Sequence, residues 1–192
     1  MTSANAPKLS RRGLLLGLPT AVGATLLAPD AARADSAATI SRNAWSALRT
    51  LYADEPHTRL LGDRAKAILV FPKITKAGLV IGGQYGEGAL LRDRHTIAYY
   101  SIAAGSFGLQ IGAQTFSYAL FFMTNSSLDY LEKSNGWSVG SGPSVVVLDK
   151  GAAASVTSTT LTQDVYAVPF GQSGLMAGIG LEGSKISRLR PK

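Results

Sequence analysis

The chain has 192 residues, 19 Lys and Arg against 12 Asp and Glu, and no cysteine. Its length predicts one main domain, and 46% apolar with only 16% charged residues excludes a disordered chain. Without cysteine there are no disulfides, thiolate metal sites, iron–sulfur clusters or cysteine nucleophiles. Two histidines, His57 and His95, leave little for an imidazole metal centre, and no cofactor is expected.

The first 34 residues read as an export signal. Ser10-Arg11-Arg12-Gly13 opens onto an apolar stretch from Leu14 to Leu27, interrupted by Gly17, Pro19 and Gly23. That stretch has the length of a signal core and is short for a membrane span. Ala32-Arg33-Ala34 forms an A-x-A cleavage site before Asp35. The paired arginines predict twin-arginine export to the periplasm or beyond, with a general secretory signal as the rival reading. Residues 1–34 are therefore the predicted signal peptide and 35–192 a single mature domain. Removal of Lys8, Arg11, Arg12, Arg33 and Asp30 leaves 15 basic and 11 acidic groups, a balance of +4. That charge suits an anionic surface and is too small to indicate nucleic acid.

In the mature chain, Ile40, Ala44, Leu48, Leu51 and Tyr52 recur at helical spacing and predict a helix over 37–53. Arg42 and Arg49 lie off its apolar face, with Trp45 at the border. A second short helix is predicted over Thr58–Lys66. Ala67–Phe71 reads as a strand stopped by Pro72. Gly78–Leu91 reads as one or two glycine-punctuated strands, and Thr96–Ile102 as another. Phe107, Leu109, Ile111 and Ala113 alternate with Gly and Gln, predicting one strand over 107–114. Tyr118–Met123 is a further apolar run. Asn125–Lys133 is a predicted helix, capped by Asn125 or Ser126 and stopped at Asn135-Gly136. Strands are expected at Trp137–Gly140, Ser144–Leu148 and Val165–Phe170. Lys150–Ala154 reads as a loop or short helical turn, Gly171–Gly174 as a turn, and Leu175–Glu182 as an alternating strand. The resulting class is α+β: a mainly antiparallel twisted sheet or small barrel of about seven or eight strands, with two N-terminal helices and one mid-chain helix.

Catalytic motifs are weak. Gly178-x-Gly180-x-x-Gly183 matches the dinucleotide string but lacks the following helix and acidic residue. A hydrolase would need a Ser or carboxylate paired with His57 or His95, both placed in loops by their neighbours. Glu87, between Gly86 and Gly88, is the one carboxylate in an unusual setting. Basic residues do cluster: Arg59, Arg64, Lys66, Lys73 and Lys76 are opposed only by Asp63, and Arg92 and Arg94 follow. Such groups can hold phosphate headgroups. The helix at 37–53 could lie on a membrane with Arg42, Trp45 and Arg49 outward, although packing on the sheet is the favoured reading.

A series of motifs then completes the picture. It comprises Ala67–Pro72, Lys76–Gly83, Tyr85–Gly88, Gly105–Gln114, Tyr118–Met123, Gly142–Val147, Asp164–Ala167, Gly171–Leu175 and Gly183–Ile186. In this order they resemble the SYLF domain family, lipid-binding domains also described as the yeast-type actin-binding family. The resemblance implies phospholipid binding without enzymatic activity. It transfers no residue-level lipid contacts, so Arg59, Arg64, Lys66, Lys73 and Lys76 are chosen on charge alone. An exported chain without a partner domain is not expected to meet actin. Anionic phospholipids are the expected partner, and an envelope protein with incidental lipid affinity is the alternative.

Overall fold

The protein is described by a computed structural model covering residues 35–78, 81–107, 112–134, 136–148, 161–174, 181 and 183–192. A division of the chain by internal contacts falls between Arg33 and Ala34, and every described residue lies after it.

Helix α1 spans Ala37–Asp54. Ser36 caps it, its Oγ accepting from the Thr39 N–H at 3.3 Å. The predicted stripe is the buried one: Ile40, Ala44, Leu48 and Leu51 face the sheet. Burying each large aliphatic side chain contributes about 1.5–3 kcal/mol. The expected second helix is shorter, a 3₁₀ turn at Pro56–Thr58 followed by α2 at Arg59–Arg64.

Strand β1 runs from Ala67 to Gly78, well past the expected stop at Pro72. Its register slips between Phe71 and Ile74 against β4 and between Val70 and Lys73 against β2. Proline has no N–H to give a ladder, and the bulge is where none is needed. The Pro72 carbonyl instead accepts from Ser117 Oγ at 2.7 Å. Strand β2 (Ile81–Arg92) turns through Asp93 and Arg94 into β3 (His95–Phe107). Both turn residues have positive φ, 50° and 64°, the geometry of a tight two-residue hairpin.

Strand β4 spans Gly112–Phe122 and leads to α3, Asn125–Lys133. The cap of α3 is Thr124, not Asn125 or Ser126: its Oγ1 accepts from the Ser127 N–H at 3.2 Å. Short β5 (Trp137–Ser138) and β6 (Val145–Val147) follow, then β7 (Val165–Gly174) and β8 (Lys185–Leu189).

The eight strands form one sheet in the order β5-β8-β3-β2-β1-β4-β7-β6. Six neighbouring pairs are antiparallel and β6–β7 is parallel, so the sheet is mixed. It curls into a half-barrel with β5 and β6 at its edges. One face buries Leu69, Phe71, Ile74, Tyr100, Phe116, Tyr118 and Trp137 with Leu128 and Leu131 of α3. The other buries Val70, Leu91, Phe121, Tyr166 and Phe170 beneath α1 and α2.

Three strand expectations change. Phe107 ends β3 and Gly112 opens β4, and these strands are separated by β2 and β1 in the sheet. The 107–114 alternation therefore does not belong to one strand, and residues 108–111 lie outside the described residues. Gly171–Gly174 is no turn but the end of β7, with Ser173 and Gly174 paired to Thr115 and Gln114. Strand β8 was not expected at all. The readings at 150–154 and, apart from Leu181, at 175–182 lie outside the described residues.

Candidate functional site

The register of β1 decides where the predicted basic residues go. Arg59 and Arg64 sit on α2, and Lys66 immediately precedes β1, its N–H donating to the Phe122 carbonyl at 2.7 Å. All three are exposed. Leu91 pairs with Ile68, so the turn carrying Arg92 and Arg94 lies beside Lys66 at the same end of the sheet. Both arginines are exposed. The result is a basic rim of Arg59, Arg64, Lys66, Arg92 and Arg94, opposed locally by Asp63 and Asp93. Arg59 also lies over the Tyr52 ring, 5.2 Å from its centroid. Burial, then the nearby Asp63 charge, pushes the Tyr52 hydroxyl up to about 12, with Arg59 acting in the opposite direction.

Lys73 and Lys76 do not join this rim. At strand rise, ten residues from Lys66 to Lys76 span about 33 Å. Lys73 is exposed and sits directly across from Glu87. Lys76 is half-buried, across from Gln84 on one side and Gln114 on the other. Ile74 faces the curled-in core, so alternation sends Lys76 to that side and Lys73 to the opposite one. Two lysines three apart in sequence cannot share one headgroup across a sheet. The missed members, Arg92 and Arg94, needed the strand pairing to be seen beside Lys66.

On α1, Arg42 and Arg49 are exposed, and an Arg42 guanidinium N–H donates to Thr39 Oγ1 at 3.4 Å. Trp45 is half-buried against the core between helix and sheet. The apolar side of α1 is thus occupied by the sheet, and its outward side is polar.

Glu87 is tied into the fold. Its Oε1 accepts from the Tyr85 hydroxyl at 2.8 Å and its Oε2 from the Asp35 N–H at 3.1 Å. The flanking glycines have a steric cause. A Cβ on Gly86 would lie 2.7 Å from the Ile74 side chain and 2.8 Å from the Lys73 carbonyl. One on Gly88 would collide with the Val70 carbonyl and lie 2.6 Å from the Phe71 ring. The bulge of β1 presses here, and only glycine leaves room.

Asp164 lies at the rim end, just before β7. Its carboxylate accepts from the Ser144 N–H at 3.2 Å, Ser144 Oγ at 3.0 Å and Thr124 Oγ1 at 3.2 Å. These bonds, led by the Ser144 N–H, hold its pKa below the ordinary carboxylate value.

His57 and His95 are exposed, and His95 Nδ1 lies 2.7 Å from the Asp93 carbonyl oxygen. Among the described residues, no group of three His, Asp or Glu is placed to hold a metal ion, and no helix is long and apolar enough to cross a membrane.

No curated protein matches the chain significantly. Residues 103–190 match the family model described as Ysc84, Las17-binding protein actin regulator. The match runs from the last part of β3 through the whole of β8, so the basic rim, from Arg59 to Arg94, precedes it. Over these residues the chain is similar to the SYLF family, in keeping with the motif series read from the sequence.

Proposed function

We propose that this domain is exported and binds anionic phospholipid surfaces, acting as a binding module and not as an enzyme. The supporting observation is the basic rim. Arg59, Arg64 and Lys66 are joined by Arg92 and Arg94 through the β1–β2 register. Each basic group near an anionic membrane is worth about 1 kcal/mol, so five at one end give useful binding without a deep pocket. Lys73 and Lys76 leave this reading, Lys73 because Glu87 faces it and Lys76 because it points to the opposite side of the sheet. Arg42 and Arg49 can add long-range attraction, while Trp45 stays committed to packing.

The test is co-sedimentation with phosphatidylcholine vesicles and with phosphatidylglycerol-containing vesicles over a salt series. Binding to the anionic vesicles alone, weakening as salt shortens the Debye length, is the expected result. Equal binding to both lipids, or none, removes the headgroup site. A rival reading, an envelope protein-interaction domain, draws on edge strand β6, where Val146 and Val147 are exposed. Stoichiometric capture of one envelope protein, lost on changing Val146 and Val147 to Lys, would favour it.

A further inference from the structure

We propose that Glu87 is the receptor for the α-ammonium group created when the leader is cut after Ala34. This inference rests on the export reading above. Two independent observations meet at one atom. The A-x-A motif places the cut before Asp35. The fold places the Asp35 nitrogen 3.1 Å from Glu87 Oε2. In the precursor that nitrogen is a neutral peptide N–H. Hydrolysis of the Ala34–Asp35 bond adds one water: Ala34 leaves as a carboxylate, and the Asp35 amine takes the proton. The same nitrogen then carries a full positive charge, and a neutral hydrogen bond becomes a charge-assisted one.

The receptor is held ready. Tyr85 donates to Glu87 Oε1, which leaves Oε2 turned to Asp35. Partial burial, followed by the Glu87 carboxylate itself, pushes the Tyr85 hydroxyl up to about 12, and like any phenol it is a protonated donor at neutral pH. Gly86 and Gly88 fix the Glu87 backbone against the β1 bulge. The Ser36 cap fixes the residue after the new terminus. Among the described residues, the Glu87 carboxylate has no ion pair with a side-chain cation. The charged and titratable groups around the site are Glu87 and Tyr85 on β2, Lys73 opposite on β1, and the Asp35 carboxyl. Ser101, across from Glu87 on β3, carries no charge.

The experiment begins with the full chain, expressed, exported and N-terminally sequenced. Its α-amine is then titrated by pH-dependent labelling in wild type and Glu87→Gln. With Asp35 as first residue, the wild-type amine should titrate about half to one pH unit above that of the variant, a three- to tenfold difference in proton affinity. The thermal midpoint of the processed Glu87→Gln protein should fall by about 1–3 °C, and by less in an uncleaved precursor. A second arm keeps Glu87 and moves the amine, using a chain that begins at Ala34, whose amine should show no rise. An Asp35 terminus with the same amine titration in wild type and Glu87→Gln overturns the receptor and leaves export standing. A terminus elsewhere overturns the processing reading and the receptor with it.

Discussion

The two ends of strand β1 hold the same kinds of side chain in opposite circumstances. At the Ala67 end, Lys66 joins Arg59, Arg64, Arg92 and Arg94 on an exposed rim. Toward the other end, Lys73 faces Glu87 and Lys76 sits between two glutamines on the curled-in side. The linear charge run gave all five predicted residues equal standing. Register separates them, because in a strand the neighbour that sets a charge's effect is across the ladder, not along the chain. On the function proposed above, the rim end meets a partner surface and the Glu87 end holds its own chain.

Breaking the Glu87 end should give the largest effect. Gly88→Ala forces a Cβ into the Val70 carbonyl and the Phe71 ring, both in a buried bulge. A loss of about 3 kcal/mol in urea unfolding is expected, in the range of severe overpacking. Gly105→Ala is the control, since a Cβ there meets nothing within 4 Å. A Gly88 variant as stable as the Gly105 variant would show that the bulge can move aside.

Removing the rim should be nearly as large in binding and nearly silent in stability. Lys66→Ala, Arg92→Ala and Arg94→Ala together should weaken anionic-vesicle binding about 100-fold, at about 1 kcal/mol for each charge. Lys73→Ala should change it by less than about threefold, because Glu87 already opposes it. Equal losses from the triple variant and from Lys73→Ala would abolish the distinction between the two ends.

The contrast also shows what could be read from the sequence. Helix α1 was legible because Ile40, Ala44, Leu48 and Leu51 repeat at 3.6-residue spacing and pack on the sheet. Helix α3 was legible in its span, but its cap was not: Thr124, Asn125 and Ser126 are all competent caps, and tertiary contact with Asp164 selects Thr124. Pro72 read as a strand end because a bulge that needs no donor cannot be seen in one strand alone. The alternation at 107–114 carried across two strands, since a period of two does not show where a strand stops. Strand β8 was missed because Lys185–Leu189 is short and mostly polar. The basic site was half legible. Arg59, Arg64 and Lys66 are close in sequence, whereas Arg92 and Arg94 reach them only through the Ile68–Leu91 pairing.

Weakening the joint beneath the rim is a smaller test. Thr124→Ala removes the α3 cap and the hydrogen bond that its hydroxyl donates to Asp164, and should cost about 1 kcal/mol. Vesicle binding should survive, since no rim cation depends on that hydroxyl.

The smallest effect concerns Asp164, the acid at the rim end, which stays ionised at neutral pH. The Asp164 carboxylate is occupied by Ser144 and Thr124, donors that carry no charge. Its folded pKa lies below its unfolded value, so its stabilising effect is fully present above the ordinary carboxylate value near about 4. That effect fades as pH falls through the lowered folded pKa. Asp164→Asn should therefore lower the urea midpoint at pH 7 by about 0.3 M, and the gap to wild type should narrow in strong acid. Rim binding at pH 7 should strengthen only slightly in Asp164→Asn. If instead it rose severalfold, Asp164 would be an electrostatic partner of the rim and not a clip for the β4–α3 and β7 junctions.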